Sequence, residues 1–512
     1  MIPLLAQAST VTRLQTPDVE YAYLSPELVL IGGAMLLLLV VSVFRHRPAW
    51  LWSALTLSFG AGSLVLSLAL YNQVTDATGA GPKELVAGAL VADGFSTFFM
   101  VLVSVCVILG ALLATTYLGK EGFRGPEFYV LMLLSASGAM VMASANDLIV
   151  LFLGLEILSI ALYVLAGFNP RRMESKEAAM KYFVLGAFSS ALFLYGVALV
   201  YGSTGSTNLA AIHTYLAGNV APNHGVLLAG AALLLVGLGF KVAVVPFHTW
   251  TPDVYQGSPS PVTGFMAAAA KAAGFAGLLR VFFSGFSVLR LDWRPAMAVV
   301  AVLTLLVGSV LAVVQNDIKR MLAYSSISHA GYVLIGLQAA SRAGIAGSLF
   351  YLLAYTFMVL GSFAVITVVG RPADANHDLS AYRGLASRRP TLAFAFTVLL
   401  LSQAGVPFTT GFLAKFYVIS AAVQAGSYAL ALIGMLSAVI AAFFYLRVTV
   451  LMYSPLTDEA HGHEGEEAPP VRPLRVPAPI AVAVAAAAVF TIAFGLVPAP
   501  MIHFARHATF FL

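Results

Sequence analysis

Apolar stretches of about 20 residues follow one another along almost the whole chain, separated by short polar loops. That pattern leaves few folds open. Lipid offers backbone groups no water, so a crossing segment must satisfy its own hydrogen bonds, and only helices and closed barrels do so. The alternation over about 10 residues that marks a barrel strand is absent, so the stretches read as helices. About fourteen spans are expected, near 26–44, 50–71, 95–118, 127–145, 148–168, 177–202, 225–250, 261–283, 296–315, 322–340, 344–370, 391–420, 427–453 and 478–498. The expected fold is therefore an all-α polytopic membrane protein. Composition agrees: 60% of the 512 residues are hydrophobic and 10% charged, where a soluble domain carries roughly 25% charged residues.

Orientation is read from the loops. The odd-numbered loops hold about twice as many lysines and arginines as the even loops and termini together. They include Arg45, Arg47, Lys120, Arg124, Arg171, Arg172, Lys176, Lys319 and Arg320. Odd loops are expected in the cytoplasm and both termini outside. Arg280, Arg290 and Arg294 run against this trend. The formal charge of +5 is mostly this bias, not a nucleic-acid surface. Arg13 stands alone before the first span, followed by Asp18, Glu20 and Glu27, so no cleaved signal peptide is expected. The single cysteine, Cys106, cannot by itself build a disulfide, a zinc site or an iron–sulfur cluster. No metal site is expected. His461 and His463, in the polar stretch Asp458 to Glu467, read as part of a solvated loop.

The chain echoes itself. Val245-Pro246-Phe247-His248-Thr249 returns as Val406-Pro407-Phe408-Thr409-Thr410. Each proline falls inside a long apolar span, the seventh and the twelfth, where it removes a hydrogen bond and breaks the helix. Paired interrupted helices point to the site of an inverted-repeat transporter. Five spans separate the two breaks, an odd number, so a five-helix repeat would be inverted across the membrane. The expected division is residues 1–125 (helices 1–3), 126–290 (first repeat, helices 4–8), 291–455 (second, inverted repeat, helices 9–13) and 456–512 (cytoplasmic loop and helix 14).

Charges at membrane depth carry the functional reading. Each costs about 2.5–3.5 kcal/mol on insertion scales and is functional by default. Glu156 lies about nine residues past Asp147, near mid-membrane. Lys241 precedes Pro246 by five residues, and Glu156 is its candidate partner at similar depth. Such a lysine, tuned by a carboxylate that moves, is a proton switch. Lys271 stands mid-way along the eighth span among alanines, out of snorkelling reach of either interface. Lys415 follows the second break by eight residues. Lys181 is about one turn into the sixth span, close enough to the cytoplasm to be an interfacial anchor instead. His248, in the first break, and His329, in the polar run Tyr324 to Tyr332, titrate in the range a relay needs. Arg447 stays protonated and reads as structural. Glu27, Glu127 and Asp147 sit at span ends, where water is expected to reach them. Phosphate-binding and dinucleotide glycine motifs are missing, so no cofactor is expected in this chain.

Two long motifs resemble a known family. Phe240-Lys241 through Val245-Pro246-Phe247-His248-Thr249-Trp250-Thr251-Pro252-Asp253-Val254-Tyr255-Gln256-Gly257-Ser258-Pro259, and Lys319-Arg320-Met321-Leu322-Ala323-Tyr324-Ser325-Ser326-Ile327-Ser328-His329-Ala330-Gly331-Tyr332, are similar to the signatures of antiporter-like membrane subunits of respiratory complex I. The likeness covers roughly residues 90–455. Three features favour the N-type branch: the segment Met173 to Tyr182, the lysine at 415, and a chain ending without a long lateral helix. The resemblance implies inverted five-helix repeats with two broken helices. It implies that Glu156 and Lys241 pair, that Lys271 is the central and Lys415 the terminal proton carrier, and that His248, Lys181 and His329 support the path. It further implies a bacterial inner-membrane complex that pumps protons on quinone reduction. NADH, FMN, iron–sulfur clusters and quinone would sit in partner subunits, and the sibling antiporter-like and small membrane subunits would be the partners. Two alternatives stand beside it: a subunit of a multi-subunit sodium/proton antiporter, and a non-conducting structural subunit.

Overall fold

The structure, a computed structural model, describes residues 18–43, 48–76, 79, 81–123, 125–219, 224–370, 377–455, 474–508 and 510. Among the described residues, twelve helices are long and apolar enough to cross a membrane. The first six are α1 (Ser25–Val43), α2 (Ala49–Thr75), α3 (Gly94–Glu121), α4 (Pro126–Ser144), α5 (Leu148–Ala166) and α6 (Met173–Thr204). After the short α7 (Leu209–Gly218) come α8 (His224–Val242), the eight-residue α9 (Trp250–Gly257), α10 (Ser260–Gly285) and α11 (Arg290–Val313). The rest are α12 (Ile318–Gln338), α13 (Arg342–Val369), α14 (Pro390–Ala404), α15 (Thr410–Gln424), α16 (Tyr428–Tyr453), α17 (Ala478–Leu496) and the short α18 (Ala499–His507). The expected tenth span is α12, one helix of 21 residues in which a lysine, an arginine, three serines and a histidine dilute the apolar residues. The expected twelfth span is two half-helices, α14 and α15, of 15 residues each. A small hairpin, β1 (Lys83–Leu85) with β2 (Leu90–Ala92), lies before α3.

Both breaks form where expected, by different means. α8 stops at Val242, before Pro246, and Ala243 takes a left-handed φ of 61°. The indole of Trp250 then donates to the Phe240 carbonyl at 3.0 Å, which also accepts from the Ala243 amide at 3.1 Å. In the second break Gly405 and Phe408 take positive φ, and the Thr409 hydroxyl caps α15 on the Phe412 amide at 3.4 Å.

The core is α10, buried along its whole membrane window and packed against α3, α4, α8 and α13. Small residues let neighbouring backbones touch. A Cβ at Gly138 would lie 2.5 Å from the Leu158 amide, and one at Gly308 2.5 Å from the Ser328 amide, so α4 meets α5, and α11 meets α12, backbone to backbone.

One backbone device occurs twice. Asp147 caps α5 through the Ile149 amide at 2.8 Å and bridges to Asn208. Asp317 caps α12 through the Arg320 amide at 2.9 Å and bridges to Asp378. In the first, the Leu148 and Leu209 amides donate to the Thr207 and Asn146 carbonyls; in the second, the Ile318 and Leu379 amides donate to the His377 and Asn316 carbonyls.

Three charges, Arg280, Lys319 and Glu27, differ from expectation. Arg280 is not a loop residue: it is the most voluminous fully buried side chain, on α10. Its guanidinium forks onto Asp93, at 2.5 and 3.0 Å, and reaches the Ala143 carbonyl at 2.9 Å. It therefore does not count against the positive-inside rule. Lys319 is also buried, its ammonium donating to the Ser258 carbonyl at 2.5 Å. Glu27, expected in water, is 4% exposed, because the end of α4 packs on α1 and Ser144 donates to its carboxylate at 3.3 Å. Arg447 reaches the end of α11, donating to the Val313 and Gln315 carbonyls and, at 2.8 Å, to the Asn316 side chain. His461 and His463 lie outside the described residues.

Candidate functional site

Three lysines expected at membrane depth are buried: Lys241 and Lys415 are 5% exposed and Lys271 3%. None has a carboxylate within ion-pair distance among the described residues. Each instead meets hydroxyls or carbonyls and the face of a tyrosine ring. Lys241 lies over Tyr182, Lys271 over Tyr355 and Lys415 over Tyr332, at 5.2, 5.6 and 4.9 Å from the ring centroids. At that range the ring quadrupole attracts an ammonium without supplying a fixed charge.

Lys241 ends α8 and donates to the Ser159 hydroxyl at 2.8 Å and to the Tyr182 hydroxyl at 3.0 Å. Glu156 is half-buried on α5, one turn before Ser159, and accepts a hydrogen bond from Ser190. The expected direct ion pair of Glu156 and Lys241 does not form in this structure; Lys241 instead meets Ser159, one turn further along α5. Ser159 follows Glu156 by three residues and shares its helix face, and it is the α5 side chain to which Lys241 donates.

Lys271 sits in the middle of α10, where a π-helical turn at Met266–Ala270 gives way to α-helix. A π turn frees the backbone from its usual register and is frequent at functional positions. The ammonium donates to both the carbonyl and the hydroxyl of Ser326 on α12.

Lys415 stands on the second half of its broken helix. It donates to the carbonyls of Gln403 and Ala404, at 2.9 and 2.7 Å, which close the first half. These carbonyls have no intrahelical partner and carry the negative end of the α14 dipole. The break thus holds Lys415 directly, whereas at Lys241 the indole of Trp250 donates to the Phe240 carbonyl.

His329 joins the two α12-facing lysines. Its Nδ1 pairs with the Tyr351 hydroxyl at 2.6 Å and its Nε2 with the Tyr445 hydroxyl at 3.1 Å. Tyr445 also shares a hydrogen bond with Ser325, next to Ser326, and makes a long 3.5 Å contact with the Gln403 side chain. The polar line therefore runs from Lys271 to Ser326, by chain adjacency to Ser325, then to Tyr445 and the Gln403 side chain, while Lys415 meets the Gln403 backbone carbonyl; His329 lies beside its middle. The structure does not place His248 on it. That imidazole is half-buried in the first break, and its Nδ1 has no hydrogen-bond partner among the described residues.

Lys181 lies away from the line, at a charged surface cavity of about 440 Å³. Its ammonium meets Asp253 and Glu177 at 2.7 Å each, and Arg320 meets the other oxygen of Asp253, also at 2.7 Å. Asp253 thus ties α6 to α12 across α9.

Sequence reasoning missed Ser159, Tyr182, Ser326, Tyr445 and Gln403. Ser326 stands in the polar run around His329 and could have been taken with it. Tyr445 and Gln403 are lone polar residues in apolar helices, and nothing local tells them from ordinary core residues.

The broken helices and the inward-facing lysines define an ion-transporting membrane protein of the antiporter-like class. A family model described as NADH:quinone oxidoreductase/Mrp antiporter, TM, matches residues 145–441, and the chain belongs to that family. It is 42% identical to NADH-quinone oxidoreductase subunit N of Trichlorobacter lovleyi, covering 94% of this chain and 96% of the relative. Among solved structures it is similar to a chain of respiratory complex I from Thermus thermophilus with bound aureothin, with a TM-score of 0.77, 34% identity, and coverage of 93% of this chain and 98% of that one. It is also similar to a chain of the membrane-bound sulfane sulfur reductase, an archaeal respiratory membrane complex, with a TM-score of 0.81, 25% identity, and coverage of 96% and 97%.

Proposed function

We propose that this chain is a proton-translocating membrane subunit of NADH–quinone oxidoreductase, carrying no redox centre itself and driven by quinone reduction in partner subunits. The observation that carries this reading is the polar line from Lys271 to Lys415 through the middle of an apolar bundle. An amine buried among hydroxyls, with no carboxylate to neutralise it, holds or releases its proton according to the field around it. Hydroxyls and the imidazole of His329 both donate and accept, so with water joining Ser326 to Ser325 and Gln403 to Lys415 a proton can pass along them without a charged group having to move.

Glu156 is the element that senses the neighbour. It is half-buried on a helix face whose Leu153, Ile157 and Ile160 are exposed, a surface suited to the adjoining membrane subunit. A change there alters the field at Lys241 through Ser159, then at Lys271, then at Lys415. His248 supports the path from the first break. Lys181, with Asp253 and Arg320, forms the polar mouth, on the side where the odd loops place the cytoplasm. The Asp147 and Asp317 devices, one at each end of the bundle, support a pair of repeats inverted across the membrane, with both termini outside. The protein belongs to the bacterial inner membrane in this reading.

The test is Lys271→Ala and Glu156→Ala in the assembled complex, with NADH-driven acidification of proteoliposomes as the readout. Acidification is expected to fall sharply in both while NADH oxidation by the peripheral subunits persists. Full proton pumping with normal stoichiometry in both variants would sink the proposal.

A further inference from the structure

Arg290, Arg342 and Arg506 come together at one face of the bundle, where they line a single cavity. Arg290 opens α11, Arg342 opens α13, and Arg506 lies on α18 after the last span. Each is exposed, and none makes an ion pair or a side-chain hydrogen bond among the described residues. Their neighbour Arg294 shows the usual alternative, capping the Gln338 carbonyl at 2.9 Å. Two of the three occupy the first turn of a membrane helix, where the positive end of the dipole makes a cation unfavourable. They also stand on the side of the even loops, where lysine and arginine are otherwise sparse. A position disfavoured by the helix dipole, by like charge and by the loop rule is relieved by an anion.

The surroundings say which anion. The three guanidiniums line one cavity of about 680 Å³, and two of them, Arg342 and Arg506, also line a second of about 530 Å³. The first is walled by Phe283 and Ile345, the second by Phe416 and Ile502. No carboxylate is among the residues lining either cavity. Cations at headgroup level with apolar grooves on both sides match a phosphate that carries acyl chains, and basic pockets between membrane helices bind such headgroups. Guanidinium is the group of choice, since its fork fits phosphate in two parallel hydrogen bonds.

We propose that Arg290, Arg342 and Arg506 form a binding site for an anionic phospholipid. Its phosphate lies between the guanidiniums and its acyl chains lie along the two grooves. The site holds the first turns of α11 and α13 and the final helix α18 together at the membrane face.

The experiment uses the full chain in the complex with which it purifies, delipidated in detergent, with phosphatidylglycerol or phosphatidylcholine added back and bound lipid counted by native mass spectrometry. Wild type is expected to retain phosphatidylglycerol over phosphatidylcholine. The triple variant R290Q/R342Q/R506Q is expected to lose that retention roughly tenfold or more, and R290K/R342K/R506K to keep most of it. If the glutamine variant does not purify, R342Q alone, on the wall shared by both cavities, is read in the same way. Equal retention by wild type and glutamine variants overturns the proposal. So does displacement of the lipid by inorganic phosphate at equal concentration, which would make this a free-anion site. Loss of a partner subunit with lipid retention unchanged also overturns it, assigning the surface to protein.

Discussion

The Lys415 ammonium lies 2.7 Å from the carbonyl of Ala404, the last residue of the half-helix that precedes its own. The break in the twelfth span therefore makes the acceptor as well as interrupting the helix. From there the line returns through Gln403 to Tyr445, whose hydroxyl contacts Ser325, His329 and Gln403 together.

Tyr445→Phe keeps the ring and removes that hydroxyl. Proton translocation is expected to drop by roughly two orders of magnitude, the scale of losing a positioned proton-transfer group. Stability should change by only about 1–3 kcal/mol, the scale of one buried hydrogen bond left unmade. Acidification of proteoliposomes and thermal unfolding of the purified complex measure the two. Unchanged acidification would take Tyr445 off the path.

Glu156 and Lys241 make no ion pair, yet Lys241 is buried, so the two charges should still couple through a medium of low dielectric. A double-mutant cycle of Glu156→Gln and Lys241→Met, read by thermal stability, is expected to give an interaction of about 1–3 kcal/mol, the scale of residues in one network. Ser159→Ala should impair translocation although it removes no charge. An interaction near zero would mean that the carboxylate does not set the field at the ammonium.

The Arg280–Asp93 pair is fully buried and belongs to the scaffold. Arg280→Met or Asp93→Asn should each destabilise the chain by about 3–5 kcal/mol, since one charge is left buried without its partner. The double variant should recover part of that loss. Detergent-resistant thermal unfolding distinguishes the outcomes, and two additive single losses would contradict a direct pair.

Cys106 is buried and is the single cysteine of the sequence, so the natural chain is a clean background for labelling. In spheroplasts, an impermeant maleimide is expected to label Asn219→Cys, in the sixth loop, and to label Ser380→Cys, in the eleventh, only after the membrane is opened. The reverse pattern would invert the orientation.

Much of the site was legible before any coordinates. Lys241, Lys271 and Lys415 announced themselves because a cation in an apolar span is costly wherever it sits, and both breaks were visible from paired prolines. Less visible was the second copy of the capping device, although Asn146-Asp147 and Asn316-Asp317 are present to be read. Glu27 and Arg280 were misjudged for one reason. Distance along a span says how far a residue is from the loop, not what packs over it. α4 covers Glu27, and Asp93, from the far end of α3, meets Arg280.

By itself the sequence determined the membrane class, the two interruptions and the identity of the buried cations. Each follows from the transfer energy of side chains and backbone between water and lipid, which composition within one span decides. Only the tertiary structure decided what those cations face. The partners come from other helices: Tyr445 from α16 for His329, Ser326 from α12 for Lys271, and the end of α14 for Lys415. Which polar atom fills a space between helices depends on how the helices rotate and cross, and no single span contains that information.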